Sequence, residues 1–236
     1  MGAKKKVIAI GDSLALPGHG NGYEDTWIKK VKTRFPAWDF ITVFRRSTTT
    51  NVLVQSGGGG DNSKTPRGSD CLEYYQPNIV ITNLGIVDCA PRLFYSIENK
   101  VVKHMPGSLR KPYIKLMKRI RSKSPKKAYV SIGKFEHNWT TYLSRCEAIN
   151  VEKVIIIGIP HPDENMVKLN PGIVKSVKAY NEVYEGLSRK FNFVSLIYPL
   201  DSTRYDFTIF DDGYHPNPSG NELVSNELEL ILASHA

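Results

Sequence analysis

Five continuous apolar stretches alternate along the chain with segments of helical periodicity, and this alternation most constrains the fold. The apolar stretches are residues 6–11, 40–44, 78–85, 153–160 and 193–199. Apolar residues follow one another within them, as in strands that are covered on both faces. Helical spacing marks residues 24–35, 107–122, 138–149, 172–191 and 217–234. The alternation predicts one doubly wound α/β domain, in which a five-stranded parallel sheet carries helices on both faces.

The size and composition of the chain agree with a single globular domain over residues 1–236. The 236 residues are 41% hydrophobic and 23% charged, which is ordinary for such a domain. No apolar stretch approaches the roughly 20 residues that a membrane helix needs. Basic residues open the chain, but the apolar stretch after them spans only about five residues before Asp12, too few for a secretory leader. We therefore expect the protein to be cytoplasmic.

The cysteines give no sign of a metal site or of a disulfide framework. Cys71, Cys89 and Cys146 are widely spaced and form no C-x-x-C pair. We expect them to be reduced, buried thiols, and we expect neither a metal nor a cofactor. Residues 55–70, rich in glycine and polar residues, are predicted to form a surface loop.

A basic segment carries much of the formal net charge of +9. Residues 111–127 contain no acidic residue, and Tyr113, Leu116, Met117 and Ile120 follow one another at helical spacing. One interpretation is a solvated basic face above a stripe of core residues. The other is a surface that attracts anionic lipid headgroups or an acidic glycan. Nucleic acid is not expected as a partner, because no pattern of stacking aromatic residues accompanies the charge.

Two short motifs carry the residue types of nucleophilic catalysis. Gly11-Asp12-Ser13-Leu14 follows the first predicted strand, and ligands of parallel sheets lie beyond the carboxyl ends of strands. A serine hydroxyl needs a base to take its proton, and that base needs an orienting acid. His215 lies in a loop before the last predicted helix, three residues after Asp212. One loop turn can therefore bring the carboxylate onto the imidazole.

The two motifs together resemble those of the GDSL (SGNH) hydrolase family. The resemblance spans nearly the whole chain and implies a flavodoxin-like three-layer α/β/α sandwich. Members of that family are mostly esterases and lipases, with some O-acyltransferases. The resemblance implies that Ser13 is the nucleophile, His215 the general base and Asp212 the residue that orients it. In the alternative interpretation, Gly-Asp-Ser merely caps a helix, and Asp212 and His215 only shape a loop.

The oxyanion hole that the resemblance implies is altered in this chain. The family takes one donor from the backbone N–H of the nucleophile, here Ser13, and a second from a glycine backbone after the second strand. Arg46 or Ser47 occupies that second position here. The backbone N–H of either residue could still donate, and Ser47 is the predicted donor, provided that the turn avoids a left-handed conformation.

The third donor of the family is an asparagine in a Gly-x-Asn-Asp block, and this chain has Val87 at that position. Losing one such donor typically lowers turnover about 10²- to 10³-fold. Arg92, in the sequence "GIVDCAPR", is the predicted replacement, because its guanidinium could reach the oxyanion. The alternative for Arg92 is a structural ion pair with Asp88 or with a surface acid.

The segment "GIVDCAPR" resembles a subgroup of the family that is associated with bacterial cell-surface polysaccharide loci. This resemblance points to acylated sugars rather than triglycerides as substrates. Trp27 and Trp139 are interpreted as core residues and not as surfaces for sugar rings. The sequence therefore predicts a serine esterase that removes an O-acyl group, possibly acetyl, from a carbohydrate. Two alternatives remain: a polysaccharide O-acyltransferase with the same triad, and a catalytically degenerate binding protein.

Overall fold

The computed structural model describes residues 4–18, 20–54, 68–91, 93–94, 96–121, 128–200, 209–210 and 212–235. Its sheet has five strands: β1 (Lys6–Gly11), β2 (Asp39–Phe44), β3 (Ile79–Thr82), β4 (Lys153–Ile157) and β5 (Val194–Ile197). All neighbouring strands are parallel, in the order β2-β1-β3-β4-β5. This is the order of flavodoxin-like folds. The predicted fold class is therefore confirmed.

Helices lie on both faces of this sheet. Their bounds are α1 Trp27–Arg34, α2 Gly68–Tyr75, α3 Ile86–Cys89, α4 Ser96–His104, α5 Gly107–Arg121, α6 Ile132–Ala148, α7 Glu164–Leu169, α8 Ile173–Lys190 and α9 Pro218–Ala233. All five predicted helices are present, and α6 begins six residues before its predicted start. The short helices α3 and α7, together with α2 and α4, were not predicted. None of the helices within the described ranges is long and apolar enough to cross a membrane.

Two apolar cores lie on opposite faces of the sheet. Along β1, Val7 and Ala9 belong to the core under α1 and α9, whereas Ile8 and Ile10 belong to the core under α6 and α8. This split follows from the alternation of side chains along a strand. It explains why the strands are continuously apolar. The prediction that Trp27 and Trp139 are core residues is confirmed, since each is buried in one of these cores.

Three strands end earlier than the apolar pattern indicates. The predicted strands 78–85, 153–160 and 193–199 end at Thr82, Ile157 and Ile197. Gly85 has a φ of 130°, where a Cβ would lie 2.7 Å from Ile159 Cγ1. The chain thus turns at Gly85 while its side chains remain buried. Residues stay buried beyond the end of the hydrogen-bonded strand, so an apolar sequence pattern alone does not show where the strand ends.

The structure also corrects two predictions about surface segments. The predicted loop 55–70 lies mostly outside the described residues, and its end belongs to α2. Of the two interpretations of the basic segment, the stripe of core residues is wrong for Leu116 and Ile120, which are 54% and 53% exposed. Tyr113 is only partly buried and stacks on Phe94, with ring centroids 5.9 Å apart. Residues 122–127 of the basic segment lie outside the described residues.

The three cysteines are free and buried, as predicted. Cys71 and Cys146 belong to the same core as Cys89. Burial raises the pKa of the Cys146 thiol to about 12, so this thiol stays protonated and unreactive.

Candidate active site

The nucleophile candidate lies directly after β1, at the carboxyl edge of the sheet. Asp12 follows β1 and caps a short 3₁₀ turn, Ser13–Ala15, by accepting a hydrogen bond from Leu14 N at 2.9 Å. Aspartate suits this position because its side-chain oxygen satisfies a backbone N–H that the turn leaves free. The cap fixes the backbone on which the Ser13 hydroxyl is carried.

The base candidate lies in a tight loop that leads into α9. Asp212 Oδ1 accepts hydrogen bonds from the backbone N–H groups of Tyr214 at 3.2 Å and His215 at 3.1 Å. Asp212 Oδ2 lies 2.5 Å from His215 Nδ1. Gly213, between them, has a φ of 86°, a left-handed conformation that favours glycine. The loop therefore folds the carboxylate back onto the imidazole three residues later.

The fold brings these two motifs together across 202 residues of sequence. His215 Nε2 lies 3.0 Å from Ser13 Oγ, within hydrogen-bond reach. Ser13, His215 and Asp212 thus form a continuous chain from hydroxyl to imidazole to carboxylate. This is the relative geometry of a serine nucleophile, its base and the acid that orients the base.

Several side chains that the sequence analysis missed hold the His215 loop in place. Pro216 O accepts hydrogen bonds from Asn21 Nδ2 at 2.8 Å and from Asn221 Nδ2 at 3.1 Å. Asn221 Oδ1 in turn accepts from Trp27 N at 2.9 Å, which joins α9 to the start of α1. The sequence signal that could have revealed this support is Asn221, a polar residue at a position of α9 that faces the core.

Backbone contacts support the same loop from its other side. Phe210 N donates to His215 O at 3.0 Å, and Asp163 N donates to Gly213 O at 3.1 Å. A Cβ at Gly213 would lie 2.2 Å from Asp163 Oδ1. The loop is thus packed against the segment that follows β4, and only glycine fits at its tightest point.

The carboxylate of Asp212 is held in its ionised form. Partial burial alone would raise the pKa of Asp212, but hydrogen bonds from the side chain and backbone of His215 outweigh that effect and lower it. An ionised Asp212 accepts the Nδ1–H of His215. The opposite nitrogen, Nε2, is then free to accept the Ser13 proton.

The predicted oxyanion donors fare differently. Ser47 is exposed and has a φ of 62°, so the condition attached to its backbone donor is not met. A left-handed residue rotates its peptide groups away from the extended course of β2. Arg92 lies outside the described residues, and its role stays a prediction. Val87 is buried in the core beneath α6 and α8 and brings no donor to the site.

Asp88, which interacts electrostatically with Asp12, belongs to a buried polar network that the sequence analysis did not predict. Asp88 Oδ1 accepts from Thr50 N at 2.9 Å and from Thr50 Oγ1 at 2.6 Å. Asn138 Nδ2 donates to Thr50 Oγ1 and to Asn51 Oδ1, each at 3.1 Å. These contacts fasten the turn after β2 to α3. Burial raises the pKa of Asp88 to about 7, although the bonds from Thr50 oppose that shift.

Within the described ranges, no group of three His, Cys, Asp or Glu side chains is placed to hold a metal ion.

No family model matches the chain, and no curated protein sequence is similar to it. Solved structures share its fold. A lipase/acylhydrolase from Enterococcus faecalis is 16% identical with a TM-score of 0.62, covering 98% of this chain and 96% of that one. A member of the lipolytic G-D-S-L family from Veillonella parvula is 12% identical, with a TM-score of 0.55 and coverage of 98% and 100%. An acetylxylan esterase from Geobacillus stearothermophilus is 12% identical, with a TM-score of 0.58 and coverage of 98% and 94%.

Proposed function

We propose that this protein is a serine esterase of the GDSL type that removes O-acyl groups, possibly acetyl, from a carbohydrate. The observation that carries the proposal is the continuous contact from Ser13 Oγ through His215 to Asp212, at 3.0 and 2.5 Å. Its position at the carboxyl edge of a flavodoxin-like sheet is where ligands of such sheets bind. The motifs around Ser13 and His215 and the neighbours of the fold support the same reaction class.

The reaction follows from the roles that the geometry allows. Ser13 Oγ attacks the ester carbonyl while His215 Nε2 takes its proton, and Asp212 stabilises the imidazolium that forms. The backbone N–H of Ser13 supports the oxyanion, and Arg92 supplies the side-chain donor that Val87 lacks. His215 returns its proton to the leaving sugar alkoxide, which leaves an acyl group on Ser13. Water, activated by His215, then releases the acid and regenerates the hydroxyl.

The carbohydrate substrate rests on two supports. The segment around Val87 resembles that of a subgroup associated with polysaccharide loci, and one neighbour of the fold is an acetylxylan esterase.

A panel of substrates tests the proposal. We expect wild type to hydrolyse p-nitrophenyl acetate faster than longer-chain p-nitrophenyl esters, and to release acetate from acetylated xylo-oligosaccharides, whereas Ser13→Ala does neither. Adding sugar acceptors to a reaction with p-nitrophenyl acetate separates the alternatives. Acylated sugar in excess of free acetate would show an acyltransferase, and binding of acetylated glycan without turnover would show a degenerate binding protein.

We also propose that α5 attaches the enzyme to an anionic membrane surface. Leu109, Leu116 and Ile120 are exposed on this helix. Together with half-buried Tyr113 they follow one another at intervals of three or four residues, and thus form an apolar stripe. Exposed lysines of α5, Lys111, Lys115 and Lys118, accompany the stripe, and the helix contains no acidic residue.

Exposed leucine and isoleucine side chains favour lipid over an acidic glycan as the partner. A glycan would pair with the lysines but would leave the apolar stripe in water. An apolar face flanked by lysines is typical of helices that lie in the headgroup region of anionic bilayers.

Vesicle sedimentation tests this attachment. We expect binding to vesicles of phosphatidylcholine with phosphatidylglycerol, but not to phosphatidylcholine alone, and weaker binding as salt rises. The double variant Leu116→Ser/Ile120→Ser should lose binding, whereas the control Leu230→Ser, at a 77% exposed site on α9, should not. Unchanged vesicle binding in the double variant, or binding to an anionic glycan in place of vesicles, would contradict the proposal.

A further inference from the structure

Two buried oxygen atoms beside the nucleophile have no hydrogen-bond partner among the described residues. They are Asp12 Oδ2 and Asn83 Oδ1. The two side chains already touch, since Asn83 Nδ2 donates to Asp12 Oδ1 at 3.3 Å. Asp12 is completely buried, and Asn83 is 5% exposed. Buried polar atoms are rarely left unpaired, so two orphaned acceptors on one contacting pair require an explanation.

A proton on Asp12 accounts for both atoms at once. A protonated carboxyl has an O–H that can donate, and an amide oxygen is the acceptor it needs. Asn83 Nδ2–H to Asp12 Oδ1 and Asp12 Oδ2–H to Asn83 Oδ1 would then form a closed acid–amide pair. An ionised Asp12 would instead leave Oδ2 as a buried, charged acceptor without a donor.

A second buried carboxylate decides which of the two acids carries the proton. Asp88 already accepts hydrogen bonds from both the backbone and the hydroxyl of Thr50, and these favour its ionised form. Asp12 is repelled by Asp88 and has only one of its oxygens satisfied. Two carboxylates in one buried region do not both ionise readily. The proton therefore belongs on Asp12.

We propose that Asp12 works as a neutral carboxylic acid which, by donating to Asn83, clamps the Ser13 turn to the end of β3. Asp12 Oδ1 already holds Leu14 N at 2.9 Å, so the pair joins the nucleophile turn to the neighbouring strand. Glycine at position 11 makes room for Asn83 in this contact, since a Cβ there would lie 1.9 Å from Asn83 Oδ1. Asp12 is thus a positioning residue, and its effect on catalysis rests on the proposed function.

The charge environment agrees with a neutral Asp12. Burial, with a smaller contribution from Asp88, raises the pKa of Asp12 to about 7, although the bond from Leu14 N opposes the shift. The titratable groups that face it are Asp88 from α3 and Tyr184 from α8, whose own pKa is raised by burial and by both carboxylates. His215 lies beyond Ser13. A neutral Asp12 places no negative charge behind the residue that must stabilise an oxyanion.

The pH dependence of activity tests the proposal through two variants. Asp12→Asn keeps an oxygen for Leu14 N and replaces the O–H donor by N–H, whereas Asp12→Ala removes both. At pH 6 we expect kcat/KM of Asp12→Asn to lie within about tenfold of wild type. We expect kcat/KM of Asp12→Ala to be about tenfold or more below that of Asp12→Asn. Between pH 6 and 9 the activity of wild type relative to Asp12→Asn should fall as Asp12 ionises, because the titration of the general base is common to both proteins. Equal losses in both variants, or identical pH profiles for wild type and Asp12→Asn, would overturn it.

Stability against pH gives a readout that does not depend on esterase activity. The folded-state pKa of Asp12 is raised above its usual value of 3.8, so the folded protein holds a proton that the unfolded chain has released. The free energy of unfolding of wild type relative to Asp12→Asn should therefore fall as the pH rises from about 4 to about 7 and then level off. A flat or rising difference would overturn the protonated form even if the protein is an esterase. The predicted fall in a protein without esterase activity would uphold the clamp and refute only the proposed function.

Discussion

Replacing Asp212 by asparagine should leave the fold intact and remove almost all activity. Asp212 Oδ1 accepts from two backbone N–H groups, and the carbonyl oxygen of an asparagine can continue to do so. The amide nitrogen then occupies the position of Oδ2, 2.5 Å from His215 Nδ1. A donor at that position forces Nδ1 to become the acceptor, so that the ring proton moves to Nε2. The nitrogen facing Ser13 can then no longer accept its proton.

The magnitude follows from the loss of the correct tautomer. In a serine protease triad the same substitution lowers turnover by about 10⁴ with the geometry intact, which corresponds to about 5.5 kcal/mol of transition-state stabilisation. We expect a fall in kcat of about 10³- to 10⁴-fold on p-nitrophenyl acetate, with little change in the midpoint of thermal unfolding. Asp163→Asn is the matched control, since asparagine also caps helices well and Asp163 caps α7 beside the same loop. A kcat within about tenfold of wild type in Asp212→Asn would refute the assigned role of this carboxylate.

Three further results are expected. Gly213→Ala should destabilise the protein by about 1–2 kcal/mol or more and lower activity, because residue 213 has a φ of 86° and its new Cβ would clash with Asp163. The control Gly186→Ala, in open space on α8, should stabilise the protein by about 0.5–1 kcal/mol. Urea unfolding measures both changes. Arg92→Ala should lower kcat about 10²- to 10³-fold with an unchanged unfolding midpoint if it replaces the missing oxyanion donor, whereas an unfolded variant would identify Arg92 as a structural partner. The pKa of Asp212 is lowered in the folded protein, so the stability it contributes should be present above pH 4 and be lost as the pH falls further, which unfolding of wild type and Asp212→Asn at several pH values would detect.

The part of the site that depends on short, specific motifs was predictable from sequence. Ser13 follows a strand buried on both faces, and His215 precedes a long helix with a clear apolar period, so both positions were anchored by regular elements. The three-residue spacing from Asp212 to His215 also allowed only a local turn. Such features depend on neighbours in sequence, whereas the contact of Ser13 with His215, 202 residues apart, was implied only by the family resemblance of the two motifs.

What escaped prediction depends on tertiary contacts. The helix Ile86–Cys89 is too short to show a period, and Asp12 and Asp88 are acids that sequence patterns assign to the surface. Their burial comes from packing between strand ends that are remote in sequence. Two interpretations stayed open for Leu116, core residue or surface residue, because apolar spacing marks one face of a helix but does not reveal whether another element covers that face.

Covalent trapping of the nucleophile tests the central claim most directly. Wild type, Ser13→Ala and His215→Ala would be incubated with diethyl p-nitrophenyl phosphate, and the label would be located by intact-mass and peptide mass spectrometry. We predict one diethylphosphoryl group on Ser13 in wild type, with esterase activity lost in proportion to labelling, and no label in either variant. Wild type that takes no label, or Ser13→Ala that still hydrolyses p-nitrophenyl acetate, would contradict the assignment of Ser13 as the nucleophile.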